Sequence, residues 1–208
     1  FVLERTSDTY SGKLTANLGR GSNLVLSTLA DPEKAIGPLM LPASTNPLTY
    51  SGNRYIGARD YAGRDLLLVT ILKGAFVFLA DLSRSIPIPH ALDFLVLAGY
   101  DGGLGGRTRI RLIKDLDMAV TGRDVLLVEN VVDTGMTLHY VVKTLRLREP
   151  RDIGVCTLLD RPYRRLVDDL PIRYVGFTVP DEFFVGYGFH LHEQFRGLPD
   201  IHLVEQGP

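Results

Sequence analysis

Hydrophobic positions fall in short unbroken runs between residues 66 and 179, each followed by glycine, proline or charged sequence. Leu66 to Leu72, Ala91 to Leu97, Val125 to Val128, Arg151 to Leu159 and Ile172 to Val179 each read as a strand, and such runs suit strands covered on both faces. Two stretches change to helical spacing. Phe76 to Leu82 follows the turn Lys73-Gly74-Ala75, and Leu138, Val141, Val142 and Leu145 recur at intervals of three and four. Arg109 to Lys114 alternates cationic and apolar residues, which predicts a half-exposed strand, and Thr121 to Asp124 reads as a turn into the next strand. Strand, helix, strand repeated in this way predicts an α/β fold: a twisted, mainly parallel sheet with helices on both faces. Gly99 to Gly106 carries five glycines in eight residues and predicts a mobile loop, Asp160 to Arg165 reads as a basic turn, and Pro180 to Gly188 as an aromatic, glycine-punctuated loop. Residues 1–58 show apolar patches at Leu24 to Leu29 and Pro38 to Pro42 but no sustained helical period. The expected organisation is an N-terminal segment, 1–58, and a main domain, 59–208, with a small hood built from the two ends.

Length and composition narrow the class. A chain of 208 residues can bury one full α/β core. With 45% hydrophobic residues, 23% charged residues and a net charge of -1, it has the profile of a soluble globular protein with no general field for nucleic acid or anionic membrane. Any anion must therefore be held by a local site. The single cysteine, Cys156, lies in an apolar run and offers no disulfide framework, so a reducing, cytoplasmic setting is expected. Leu66 to Leu82 is broken by Lys73-Gly74 and is too short to span a bilayer.

The local anion site is legible at residues 125–138, VLLVENVVDTGMTL. Glu129 and Asn130 place polar groups where a buried strand emerges, and in open α/β sheets ligands gather outside the carboxyl ends of the strands. Asp133-Thr134-Gly135-Met136-Thr137 then turns into a helix. A helix N-terminus offers free N–H groups and a favourable dipole, glycine permits close backbone approach, and the hydroxyls of Thr134 and Thr137 add donors, so a phosphate fits. Asp133 or Thr134 can equally serve as a helix cap. The stretch is neither a Walker loop nor a GxGxxG turn.

The arrangement of strand, polar Glu-Asn pair, Asp-Thr-Gly and Thr resembles the phosphoribosyl-diphosphate (PRPP) motif of type I phosphoribosyltransferases. Taken with ILKGAFVFLADL at 71–82, LLDRPYRR at 158–165 and VGFTVPDEFFVGYG at 175–188, the chain resembles the hypoxanthine-guanine phosphoribosyltransferases from about Arg59 to about Val204. The resemblance implies transfer of a 5-phosphoribosyl group from PRPP to N9 of hypoxanthine or guanine, with diphosphate released and Mg2+ bound to the diphosphate and ribose hydroxyls. Thr134, Gly135, Met136 through its backbone, and Thr137 would anchor the phosphate. Glu129 and Asn130 would meet the ribose, and Glu129 the metal. Lys73 and Gly74 would form the diphosphate loop, in which the family has a cis Leu-Lys peptide. Asp133 would handle a proton at purine N7, Phe183 would stack on the base, and the backbone of Phe184 would meet the purine edge. Tyr100 would lie on a lid, Arg161 would contact the exocyclic purine oxygen, and Arg196 would lie near the diphosphate. A homodimer or homotetramer is also implied.

Several positions depart from the family pattern. Asn130 stands where the family has a second acid, Arg161 where it has lysine, His190 where an aspartate lies near a second magnesium, Ala75 where it has glycine, and Gly99 where serine is usual. A neutral imidazole is a poor ligand for a hard cation, so His190 is a weak metal candidate. Two functions of different class follow. One is a purine phosphoribosyltransferase; the other is a PRPP- or nucleotide-binding regulator that keeps the fold and has lost turnover.

Overall fold

The computed structural model describes residues 2–6, 9–17, 23–28, 60–101 and 108–206. In chain order its elements are β1 (Val2–Thr6), β2 (Thr9–Asn17), β3 (Asn23–Thr28), β4 (Leu66–Leu72), α1 (Phe76–Ser85), β5 (His90–Asp101), β6 (Thr108–Lys114), β7 (Asp124–Val132), α2 (Met136–Arg146), β8 (Asp152–Asp160), β9 (Ile172–Thr178), β10 (Phe184–Val185) and β11 (His202–Gln206). They group into two compact units, residues 55–180 and the two chain ends, residues 1–54 with 181–208.

The larger unit is a six-stranded sheet in the order β6-β5-β4-β7-β8-β9. β5, β4, β7, β8 and β9 run parallel, and β6 closes one edge antiparallel to β5. The central strands are apolar throughout because both faces are covered. Leu67, Val69, Val125 and Leu127 pack with Leu138, Val141, Val142 and Leu145 of α2. Successive side chains of a strand point to opposite faces. Leu66, Leu68, Leu126 and Val128 therefore face the other side, and all four are fully buried. The connection β4-α1-β5 steps along the sheet one way and β7-α2-β8 the other. Right-handed crossovers in opposite directions put their helices on opposite faces.

Helix α1 stops where Ile86 turns extended ahead of Pro87, as a residue before proline prefers. At the other edge Tyr61 is fully buried, with Arg173 Nη1 donating to its hydroxyl at 3.1 Å. The same arginine forms a fork with Asp152, which ties the start of the unit to β9.

Two expectations are corrected. The glycine-rich segment does not begin as a loop at Gly99, because β5 continues through Tyr100 to Asp101 and pairs Gly99 with Ile110 and Tyr100 with Arg109. The ladder with β6 satisfies the backbone groups whatever the side chains, so glycine content alone misplaces the boundary. Residues 102–107, which include the remaining glycines of that segment, lie outside the described residues. The aromatic segment 180–188, read as a loop, contains β10, which pairs with β11.

The second unit is a five-stranded sheet ordered β1-β2-β3-β11-β10. All its pairings are antiparallel, so the two chain ends meet between β3 and β11. The patch at Leu24 to Leu29 corresponds to β3, and the one at Pro38 to Pro42 lies outside the described residues. Val185 and Val204 are buried here, with Leu191, Phe195 and Leu198 against them. No helix among the described residues is long and apolar enough to cross a membrane.

Candidate active site

The site forms where β7 leaves the core. Its residues from Asp124 to Val128 are fully buried, and exposure begins at Glu129. Thr70 of β4 donates to the Val128 carbonyl at 2.6 Å, which fixes the two central strands to each other just below the exit. Glu129 is half-buried as a residue, yet its Oε1 is shielded from solvent and has no hydrogen-bond partner among the described residues. Burial pushes its carboxyl up from an ordinary 4.5 to about 8, against a smaller lowering by a hydrogen bond with the Ile71 backbone. A carboxyl left so poorly compensated is what a ligand's hydroxyl or cation would satisfy. Asn130 lies beside the turn after β4. A methyl at Gly74 would stand 2.9 Å from its Nδ2, so glycine there leaves room for the amide.

Beyond Val132 the chain curls around a cavity of about 270 Å³ lined by Gly74, Glu129, Asn130, Asp133, Thr134, Gly135 and Thr137 among others. Gly135 is the N-cap residue of α2, in the left-handed region at φ +80°, and no side chain caps the helix. The two alternatives for a cap, Asp133 and Thr134, are thereby corrected: a left-handed glycine makes the entry and leaves the first amides of α2 for another partner. The Met136 N–H reaches the Thr134 hydroxyl only at 3.5 Å. Met136 is 52% exposed and is not among the residues that line the cavity. An added methyl at Gly135 would lie 2.8 Å from Leu170 Cδ1 and 3.1 Å from Arg165 Cδ. The conformation and the crowding both oppose a side chain. Gly135→Ala is expected to lower stability by about 2 kcal/mol, measured by urea unfolding.

Asp133 turns away from the helix amides. Its Oδ2 lies 3.4 Å from Arg164 Nη1 and 3.7 Å from Arg161 Nη1, and its Oδ1 is buried with no hydrogen-bond partner among the described residues. Arg161 is itself buried at 8% exposure, on the turn that follows β8. A carboxylate and a buried guanidinium therefore stand together at the cavity's edge. The sequence marked Asp160 to Arg165 as basic but gave a role only to Arg161. Asp160, Arg164 and Arg165 were missed, and the available signal was their density of charge next to a proline.

The peptide between Leu72 and Lys73 is cis, as the resemblance implies, and Lys73 is exposed at that turn. The backbone of Tyr100 belongs to β5, while its side chain lies outside the described residues. Four candidates belong to the smaller unit. Phe183 is 46% exposed, whereas Phe184 is buried, with its ring 6.3 Å from that of Phe189 and tilted to it. The Phe184 side chain is thus core, and only its backbone is left for a purine edge. Arg196 donates to the Gly188 carbonyl at 2.7 Å and to Glu193 at 2.8 Å. His190 Nδ1 accepts from the Glu193 N–H at 3.1 Å, which occupies one of its two ring nitrogens. Among the described residues no group of three or more His, Cys, Asp and Glu is placed to hold a metal ion.

A parallel sheet whose central strand opens into a left-handed glycine, a bare helix N-terminus and a buried carboxyl defines a binder of phosphorylated sugars. The family description "Phosphoribosyl transferase domain" matches residues 53–192, and the chain belongs to that family. It is 45% identical over 140 residues to hypoxanthine phosphoribosyltransferase of Salmonella typhimurium, covering 67% of this chain and 78% of that one. It is 44% identical over 150 residues to hypoxanthine-guanine phosphoribosyltransferase of Mycobacterium tuberculosis, covering 72% and 74%. The crystal structure of a hypoxanthine phosphoribosyltransferase from Staphylococcus aureus superposes with a TM-score of 0.66 at 38% identity, over 70% of this chain and 79% of that one.

Proposed function

We propose that the protein is an enzyme of purine salvage that transfers the 5-phosphoribosyl group of PRPP to N9 of hypoxanthine or guanine, giving IMP or GMP and diphosphate. The observation that carries this reading is the cavity lined by Asp133, Thr134, Gly135, Thr137 and Glu129, whose Oε1 is shielded from solvent with no hydrogen-bond partner among the described residues. The relatives cited are named for this transfer, and nothing observed favours the regulator.

The bond from the anomeric carbon to diphosphate breaks and the bond to purine N9 forms, through a ribosyl group with cation character. Thr134, Gly135, Met136 through its N–H, and Thr137 fix the 5-phosphate at the N-terminus of α2. Glu129 and Asn130 meet the ribose hydroxyls, Gly74 lets Asn130 approach, and Lys73 approaches the diphosphate. Arg161 donates to the exocyclic oxygen of the base, and Asp133 accepts the proton that N7 gives up as N9 bonds to the sugar. The same reading gives Phe183 and the Phe184 backbone to the base, Arg196 to the diphosphate and Tyr100 to a lid that excludes water.

Mg2+ fits the donors present. Glu129 and the Asn130 carbonyl supply hard oxygens, and this ion is commonly held by one or two carboxylates plus substrate phosphates. When bound it would neutralise the leaving diphosphate. His190, with one ring nitrogen already engaged, contributes least. The reading extends to a cytoplasmic location and to a homodimer or homotetramer, with no nucleic acid or membrane as partner.

A spectrophotometric assay with PRPP, Mg2+ and each purine in turn tests the reading. Turnover of hypoxanthine or guanine is expected. PRPP binding without turnover of any purine would replace the enzyme by the regulator.

A further inference from the structure

The turn after β8 does more than present Arg161. It takes three consecutive carbonyls of the phosphate loop. The Arg161 N–H donates to the Val132 oxygen at 3.0 Å and the Leu166 N–H to the Thr134 oxygen at 2.9 Å. Between them, Arg165 Nε donates to the Asp133 oxygen at 3.1 Å.

A trans peptide carries its C=O and N–H on opposite edges. With the oxygens of 132, 133 and 134 held toward the turn, the N–H groups of 133, 134 and 135 face the other way. The turn side is filled, since the position a Gly135 methyl would take lies against Leu170 and Arg165. The cavity is on the opposite side, lined by Asp133, Thr134 and Gly135. Consecutive amides aimed in one direction make an anion-binding nest.

Arg165 is the one side chain in this set of three bonds. Its Nη2 bonds the carboxylate of Asp160, at the end of β8, and both side chains are largely buried, at 12% and 15% exposure. A planar fork can serve a carboxylate and a carbonyl together in fixed geometry, which an ammonium on a flexible stem does poorly.

We propose that Arg165 is a positioning residue of the phosphate site: by holding the Asp133 carbonyl to Asp160 it aims the Thr134 amide at the 5-phosphate, so that the base-side turn and the phosphate loop act as one rigid piece. This rests on the reading that the loop holds the phosphate of PRPP.

The test is steady-state kinetics of Arg165→Met with the full chain, together with its thermal melting. The KM for PRPP is expected to rise by about tenfold to hundredfold, the range of one lost hydrogen bond to a charged group. The KM for hypoxanthine and kcat should change by much smaller factors. An unchanged KM for PRPP overturns the proposal, and so does an equal rise in both KM values or a loss confined to kcat, since a general structural fault would not select PRPP. Should Arg165→Met fail to fold, Leu166→Pro deletes the third bond through the backbone instead. Residue 165 already has the extended ψ of 127° that a following proline requires, and Leu166 is 73% exposed. That variant is expected to raise the PRPP KM likewise, and an unchanged value overturns the proposal. If the parent protein neither binds nor consumes PRPP, the assignment of the loop to phosphate is what has failed.

Discussion

Asp133→Asn is expected to lower kcat by about a hundredfold or more, while affinity for GMP changes by only a few-fold. Proton transfer by a positioned side chain contributes roughly 10² to 10⁴ in rate, and an amide cannot exchange the proton. The geometry separates this role from its rivals. Helix α2 is entered through Gly135 without a side-chain cap, so removing the Asp133 charge leaves the helix start intact. The carboxylate does lie between Arg164 and Arg161, at 3.4 and 3.7 Å. Arg164 is 45% exposed there, and an ion pair so open to solvent contributes at most about 1 kcal/mol. The effect on stability of losing the Arg164 contact should therefore be small. Equal losses in turnover and in nucleotide affinity, measured by single-turnover kinetics and by titration calorimetry, would instead make Asp133 a holder of the two arginines.

How much of this was legible depended on how local the signal is. The run Leu66 to Leu72 became β4 with the bounds expected, since seven apolar residues bounded by Asp65 and Lys73-Gly74 leave little choice. Leu138, Val141, Val142 and Leu145 are all buried on α2, because helical spacing alone sets which side faces the sheet. Gly99 to Asp101 and Phe184-Val185 were misread because both are strands held by partners. Pairing of Tyr100 with Arg109, or of Phe184 with Leu203, is decided across the fold and leaves little trace in the residues themselves. The same holds within the site. Asp133-Thr134-Gly135 announces a phosphate loop by its own chemistry. The brace behind it comes from Arg165, thirty-two positions away, and nothing in a basic turn says which carbonyl it will meet.

The departures from the family pattern also gain a physical setting. Asn130 occupies the space above Gly74, where an added methyl would come within 2.9 Å of its amide nitrogen. An amide there donates as well as accepts, so it can meet a ribose hydroxyl in either sense without adding charge. Arg161, in place of lysine, is buried beside Asp133, where its fixed fork suits two acceptors at once. Ala75 is fully buried and precedes α1 as its N-cap residue, so its methyl is accommodated. Of the pair Glu129 and Asn130, only Glu129 has a carboxyl to carry negative charge, and its protonation state becomes the controlling variable.

Glu129→Gln is accordingly expected to stabilise the unliganded protein at high pH while disabling it. In the unfolded chain the carboxyl ionises near 4.5, and in the folded protein burial holds it protonated up to about 8. Below pH 4.5 both states carry the proton, so the full contribution is present there. As pH rises from 4.5 to 8 the unfolded state has lost the proton and the folded state still binds it, so stability falls across that window and levels off above 8. Glutamine keeps the shape and removes the titration. Parent and variant should therefore have similar urea midpoints near pH 4 and diverge as pH rises. Near pH 9 the variant should be ahead by a few kcal/mol, because a tenfold change in proton concentration across that window is worth about 1.4 kcal/mol. Activity should move the opposite way, with kcat/KM for PRPP falling by about a hundredfold, because glutamine cannot give up a proton to become the charged partner of the ribose and its cation on binding. A stability gap that does not widen with pH would mean that Glu129 is already ionised in the free protein, compensated by a group that approaches Oε1 in solution.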